Sequence, residues 1–296
     1  MGARPARFRR ERVLIVGCGD VGGRIAKILR GRVQLLALTS SAERKDALRA
    51  KGIVPLLGNL DDRASLRRLS GLATRVVHLA PPAAQGTVDA RTRTLTRILL
   101  QRATPQTLVY GSTSGVYGDC SGAWVNETRA VLPQTARGQR RVDAELTVRH
   151  LGRRSSVRSS ILRIPGIYAA DRDGGTPRER LQKGLPALQH EEDVYTNHIH
   201  ADDLARAFCR ALWCAAAQRV YHVSDDSQMK MGDYFDLAAD LFGLSRPPRI
   251  SKEQAAQQLS PLQLSFMNES RRLHNLRMKH ELGLRLRFPT VHSGLL

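Results

Sequence analysis

Near the start of the chain, Gly17-Cys18-Gly19-Asp20-Val21-Gly22 has the spacing G-x-G-x-x-G. In such a turn the first glycine permits a tight bend. The second lets the backbone approach a pyrophosphate, and the third lets the following helix pack closely on the preceding strand. Free N–H groups and the dipole of a helix N-terminus complete an anion site. The pattern points to a dinucleotide only where it follows a strand and opens a helix, and this context is met here. The type of dinucleotide is read at the end of the second strand, where an NAD site places Asp or Glu against the ribose 2′-hydroxyl. That stretch runs Leu35-Leu36-Ala37-Leu38-Thr39-Ser40-Ser41-Ala42-Glu43-Arg44, with no acid at Thr39 or Ser40. Two hydroxyls with Arg44 nearby suit a 2′-phosphate, so NADP is expected in preference to NAD.

Other reactive residues lead elsewhere. Gly111-Ser112-Thr113-Ser114-Gly115 has the outline of a nucleophile elbow, but its central residue is Thr113, so a hydrolase triad is not expected. His198 and His200 would share a face of a strand, yet no carboxylate–histidine set accompanies them and no metal site is expected. Cys18, Cys120, Cys209 and Cys214 show no ligand-pair spacing. They read as free thiols in a reducing, cytoplasmic compartment, with Cys209 and Cys214 in a buried helical core. Trp124 to Thr128 is expected to form a loop over a cleft, where Glu127 either touches substrate or caps a turn.

The elements that would position these residues follow from hydrophobic periodicity. Strands are expected at 12–16, 33–38, 53–57, 76–79, 107–110 and 159–164. Helices are expected at 21–29, 42–50, 61–69, 87–102 and 136–150, the one over 61–69 with acids in its first turn. This alternation implies an α/β fold, a doubly wound parallel sheet of Rossmann type with right-handed crossovers. Beyond Pro165 the rhythm weakens, with a helix at 201–217, a strand at 219–223 and a helix at 231–242. The reading is a basic tail over 1–11 and a dinucleotide-binding domain over 12–165. A mainly substrate-cap region over 166–296 follows, with 196–223 returning to the Rossmann core.

Composition narrows the classes. At 296 residues and 42% hydrophobic content, the chain can bury a real core. No apolar run approaches ~18 residues, so no membrane span is expected. The basic N-terminus lacks the apolar stretch of a signal peptide. The net charge of +20 could attract nucleic acid. However, the basic residues are nearly all arginines spread along the chain, and aromatics make up only 5%. A compositional bias explains this better than a dedicated nucleic-acid surface.

Several segments, in order, resemble the short-chain dehydrogenase/reductase superfamily, in its extended or atypical epimerase/dehydratase-like branch. They are the glycine turn, Gly58-Asn59-Leu60-Asp61, Val76-Val77-His78-Leu79-Ala80, Tyr110-Gly111-Ser112-Thr113-Ser114-Gly115-Val116-Tyr117-Gly118, Leu162-Arg163-Ile164-Pro165-Gly166-Ile167-Tyr168, and Asn197-His198-Ile199-His200-Ala201-Asp202-Asp203-Leu204-Ala205. The resemblance implies that Gly17, Gly19, Asp20, Val21 and Gly22 hold the pyrophosphate. Asn59 and Leu60 would sit beside the adenine. Ala80, Pro81 and Pro82 would line the middle of the cofactor, and Pro165, Gly166 and Ile167 would pass near the nicotinamide amide. Ser112, with Thr113 beside it, matches the active-site hydroxyl. Dimers through a helix–helix face are common in the family, so a homodimer is part of the expectation.

At the centre of the chemistry the chain departs from that family. Members that transfer hydride carry Tyr-x-x-x-Lys on the helix after the fifth strand. Taking Glu145 as the glutamate that commonly follows the pair puts Arg137 at the tyrosine and Arg141 at the lysine. Arg141 is suited to bonding ribose hydroxyls. Arg137 cannot cycle a proton near neutrality, because a guanidinium pKa lies above ~12, but it can grip a carboxylate or phosphate in a bidentate fork. Displaced acids are then sought in Tyr117, Tyr168 and Tyr195. The leading expectation is an NAD(P)-dependent oxidoreductase or epimerase/dehydratase-like enzyme acting on a small polar substrate. The alternatives are an NADP-binding sensor or scaffold that has lost catalysis, and a nucleic-acid-associated protein.

Overall fold

A computed structural model describes residues 11–295 of the chain; most of the basic tail expected over 1–11 lies outside the described residues. Seven strands form one sheet: β1 (Arg12–Val16), β2 (Gln34–Thr39), β3 (Val54–Leu57), β4 (Arg75–His78), β5 (Thr107–Thr113), β6 (Arg158–Ile164) and β7 (Arg219–His222). Their order across the sheet is β7-β6-β5-β4-β1-β2-β3. The pairings β1–β2, β1–β4, β2–β3 and β4–β5 are parallel, with Val16 opposite both Leu38 and His78. The chain therefore walks outward from β1 to β3 and then jumps to the other side of β1. This reversal is the switch point at which a doubly wound sheet opens a crevice at its carboxyl edge. The interiors of β1, β2 and β4 (Val13–Val16, Leu35–Leu38 and Val76–Val77) are apolar and buried, as a sheet covered by helices on both faces requires.

Contacts divide the chain into two units. One comprises the described residues up to Ser112, Arg140–Leu162 and Ala205–Val220. Its helices include α1 (Asp20–Leu29), α2 (Arg44–Ala50), α3 (Ala90–Leu99), most of α4 (Ala136–Arg154) and most of α5 (Ala201–Cys214). Leu14, Leu36, Val76, Leu95, Leu108, Tyr110, Val148 and Ile161 form its core. The second unit comprises Thr113–Gln139, Arg163–Leu204 and the described residues from Tyr221 onward. It has its own core of Tyr168, Tyr234, Phe235, Ala238 and Val291, gathered on α6 (Met231–Phe242).

Several expected elements differ in ways local chemistry explains. The helix expected over 61–69 is a 3-10 helix over Ala64–Leu69 with no acid in its first turn. Asp62 accepts the Ala64 N–H, and the Ser65 hydroxyl donates to the Asp62 carbonyl, so the acids build the preceding turn. The helix expected over 87–102 is confined to Ala90–Leu99 because Asp89 caps it, accepting the Thr92 N–H. The helices expected from 42 and to 217 begin at Arg44 and end at Cys214. β5 and α4 run further than expected, to Thr113 and Arg154. Trp124–Val125 is a strand paired with Arg272–Leu273, not a loop. Cys214 is exposed rather than buried, and all four cysteines are free. Among the described residues no helix is long and apolar enough to cross a membrane.

The Asp89 cap also anchors a buried chain of groups. The Thr92 hydroxyl donates to Asp89 Oδ2 (2.6 Å), so it must accept from His78 Nε2 (2.8 Å). His78 is therefore neutral with its proton on Nε2, and Nδ1 is left bare and unpartnered. Asp89→Ala removes the cap and leaves the Thr92 hydroxyl without its acceptor. It is expected to lower unfolding free energy by about 2 kcal/mol in urea titrations. A value within experimental error of zero would show that the cap does not hold α3.

Candidate functional site

The glycine turn lies where β1 ends and α1 begins. Gly17 has φ +89°, and a Cβ there would stand 2.5 Å from the Ala80 nitrogen and 2.7 Å from its Cα. The turn is thus pressed against the end of β4, where Leu79 and Ala80 donate their N–H groups to the Val16 carbonyl. Gly19 is the reverse case, with no atom within 4 Å of a built Cβ. Gly19 also caps α1 without a side-chain hydrogen bond. An open cradle over an uncapped helix start is what a pyrophosphate needs, so these residues fit a dinucleotide. Gly22 is buried against Ile15, Val21 is half-buried, and exposed Asp20 pairs with Arg24.

The residues expected at the adenosine end stand at the ends of β2 and β3. The Gly58 N–H donates to the Thr39 carbonyl, joining the two strand ends. Asn59 is exposed there and its Oδ1 accepts the Asp61 N–H; Leu60 is half-buried. Thr39 is buried with its hydroxyl on the Ser41 carbonyl, and Ser40 is exposed. The Arg44 guanidinium donates through Nη2 to the Cys18 carbonyl at 2.6 Å. This cation is therefore held against the glycine turn itself. Ala80 is buried, while Pro81 is exposed and Pro82 half-buried beyond it.

At the end of β5, Ser112 is 4% exposed and its hydroxyl donates to buried Glu145 Oε1 at 2.6 Å. Ser112 was the expected active-site hydroxyl, but here it is engaged by a carboxylate. Strand alternation turns Thr113 to the opposite face, half-exposed, where its hydroxyl oxygen accepts the Gly115 N–H. Arg141 Nη1 donates to the Tyr110 hydroxyl and to the Gly111 carbonyl, 3.0 Å each. Burial pushes the Tyr110 phenol up to about 12 and His78 down to about 3. Sequence reasoning missed Tyr110, and it used Glu145 only as a landmark. The signal was present, since Arg141 and Glu145 are four residues apart on one helix face.

The second unit holds the other expected residues. Arg137 is exposed, and its guanidinium lies 4.5 Å from the Phe266 ring centroid. Tyr117 is buried. Its hydroxyl receives Arg163 Nη1 (2.6 Å) and sits 2.5 Å from His222 Nε2. His222 Nδ1 faces the His274 carbonyl, so Nδ1 carries the proton and Nε2 accepts from Tyr117. Burial pushes His222 down to about 3, in keeping with that neutral ring. Tyr168 is buried and donates to the Thr290 carbonyl, while the Tyr195 ring lies under Arg272. Gly166–Tyr168 pairs with His198–His200, the Gly166 N–H donating to the Asn197 carbonyl; Pro165 and Ile167 are half-buried on either side. Glu127 lies in the turn that follows the Trp124–Val125 strand, but its side chain does not cap that turn. It is buried, with Oε1 accepting the His222 N–H and Oε2 3.7 Å from Arg277. Among the described residues there is no group of three or more His, Cys, Asp or Glu able to hold a metal ion.

Comparison with known proteins agrees with this architecture. A conserved protein of unknown function from Silicibacter pomeroyi matches with TM-score 0.78 and 28% identity over 96% of both chains. A UDP-glucose 4-epimerase from Thermus thermophilus, solved with NAD, matches with TM-score 0.75 and 22% identity over 96% of each. The UDP-glucose 4-epimerase of Thermotoga maritima, solved with UDP-glucose, matches with TM-score 0.79 and 16% identity, again over 96% of each. No curated protein sequence matches the chain. Residues 13–224 match the model of the NAD dependent epimerase/dehydratase family. With its glycine cradle at the switch point and this match over most of its length, the chain belongs to the NAD-dependent epimerase/dehydratase family.

Proposed function

We propose that this protein is an epimerase-like or oxidoreductase-like enzyme that holds NADP in preference to NAD. Its substrate would be a small polar molecule carrying an anionic group. The observation that carries the reading is the cradle itself: Gly19 facing open space above the uncapped start of α1. A bound nicotinamide supplies a hydride acceptor or donor. The chain's own residues supply the rest. The α1 N–H groups and the Gly19 backbone bind phosphates. Arg44, held on the Cys18 carbonyl, and the hydroxyl of Ser40 receive a 2′-phosphate. Arg141 orients a ribose through its guanidinium. Thr113, rather than Ser112, offers a hydroxyl to the reacting oxygen, because Ser112 already donates to Glu145. Arg137 grips a substrate carboxylate or phosphate. The free thiols suit a cytoplasmic setting, and any self-association would be as a homodimer.

Fluorescence titration tests the cofactor choice. NADPH is expected to bind roughly tenfold more tightly than NADH, with Arg44→Ala erasing the difference. NADH binding tenfold more tightly than NADPH would overturn it. Turnover is tested by cofactor oxidation and reduction across carbonyl compounds and sugar nucleotides.

A second reading has its own support. Arg137 cannot act as an acid, and the Tyr117 hydroxyl is already taken up by Arg163 and His222. In this reading the chain holds a dinucleotide and signals its presence. Tight NADPH binding without turnover, together with a partner captured only when NADPH is present, would favour it over catalysis.

A further inference from the structure

Arg141 is tied along one edge only. Its Nη1 donates to the Tyr110 hydroxyl and the Gly111 carbonyl, and among the described residues Nη2 and Nε have no hydrogen-bond partner. A guanidinium is planar and rigid, so two bonds at one nitrogen fix the plane and present the remaining donors in a set direction. Lysine would offer a compact point charge with no such edge. The arginine at this position thus depends on an anchor that a lysine would not require in the same form.

We infer that Tyr110 is a positioning residue: it holds Arg141 so that the free edge of the guanidinium meets the ribose on the nicotinamide side of the dinucleotide. This rests on the reading of Arg141 given above. Three observations carry it. Tyr110 cannot yield, since it is fully buried on β5 with its ring 5.2 Å from that of His78. Its hydroxyl stays neutral, burial pushing it up to about 12, so it remains an acceptor for the cation at any working pH. The sheet order supplies the side. The adenosine ribose is read at the end of β2, on one flank of the glycine turn after β1. Tyr110 and Gly111 stand on β5, two strands away on the other flank. A ribose within reach of Arg141 is therefore the second one.

The test is a double-mutant cycle on the full chain with two probes, NADP and adenosine 2′,5′-bisphosphate, which lacks the second ribose. Tyr110→Phe, Arg141→Ala and the double variant are titrated well below their melting temperatures. Each single change is expected to weaken NADP binding roughly tenfold. The double variant should be no weaker than Arg141→Ala alone, and bisphosphate binding should be unchanged in all three. A purely structural role for Tyr110 would lower the melting temperature and leave the affinity of the folded protein intact, which overturns the inference. Additive losses, or equal weakening of the bisphosphate, also overturn it. If Arg141→Ala leaves NADP binding unchanged, the ribose reading of Arg141 falls as well. If neither probe binds the parent chain, the dinucleotide reading itself is wrong.

Discussion

Gly17→Ala is expected to abolish dinucleotide binding and to destabilise the first unit, while Gly19→Ala leaves the fold intact and loses binding alone. The two glycines are two residues apart in one turn, and the contrast comes from what surrounds them. An alanine at 17 meets two separate penalties. Its φ of +89° is a region that L side chains rarely adopt, at a cost of about 1–3 kcal/mol. Its Cβ would also lie 2.5–2.9 Å from backbone atoms of Leu79 and Ala80. Those atoms cannot retreat, because both residues donate to the Val16 carbonyl in the sheet edge. Overpacking of this kind adds roughly another 1–3 kcal/mol. At Gly19 φ is −83° and the Cβ meets nothing, so the added methyl occupies only the space a pyrophosphate needs. Thermal unfolding and NADPH titration of both variants read the outcome. A Gly17→Ala protein that melts and binds like the parent would refute the close packing of turn and strand. A Gly19→Ala protein that binds normally would show that the cradle does not hold phosphate.

Acid should unfold the protein earlier than its carboxylates alone would. Burial pushes His78, His198 and His222 down to about 3, 4 and 3 respectively. In the unfolded chain each titrates near its ordinary 6.5, so below that pH the unfolded state binds more protons and stability falls as pH falls. By pH 4.5 each histidine contributes a loss of about 3 kcal/mol. Asp225 acts in the opposite direction. Burial raises its carboxyl to about 7, so the native state takes up a proton first, and this stabilises as pH drops from 7 toward the unfolded value. One such group offsets about one histidine, leaving a net loss of about 5 kcal/mol, comparable to the whole stability of many domains. Urea midpoints measured from pH 8 to pH 4.5 should hold steady above 7 and then fall steeply below 6.5. A flat profile down to pH 4.5 would contradict the burial of these rings as neutral groups. His222→Gln should reduce the slope by about one proton.

The frame was readable in the chain because its signals are local. The strand β1 and the helix Met231–Phe242 have the bounds their periodicity implies, and the glycine turn sits between strand and helix. What escaped was set by partners distant in sequence. Trp124–Val125 becomes a strand only because Arg272–Leu273 lies beside it, and nothing in the short segment announces that. The acids at 61 and 62 look like a helix start, yet Ala64 and Ser65 draw Asp62 into a turn and Arg91 takes the Asp61 carboxylate. The site followed the same rule. The cradle was legible, whereas the engagement of Ser112 by Glu145 and of Arg141 by Tyr110 spans about thirty residues each. The hydroxyl matched by motif donates to a carboxylate that lies outside the motif.

The first unit is assembled from three separate stretches of chain, ending with Ala205–Val220. As the polypeptide emerges from the ribosome, β1 to β5 can pair among themselves, but β5 has no outer neighbour until β6 is made some fifty residues later. β7 follows only after that. The buried guanidinium of Arg75 waits longer still, since one of its acceptors is the carbonyl of Leu212. Until then a half-built sheet exposes an apolar edge that can pair with another copy of itself. Production of this protein should therefore be limited by nascent-chain aggregation, and slower translation or holdase chaperones acting between residues 112 and 220 should raise the soluble yield.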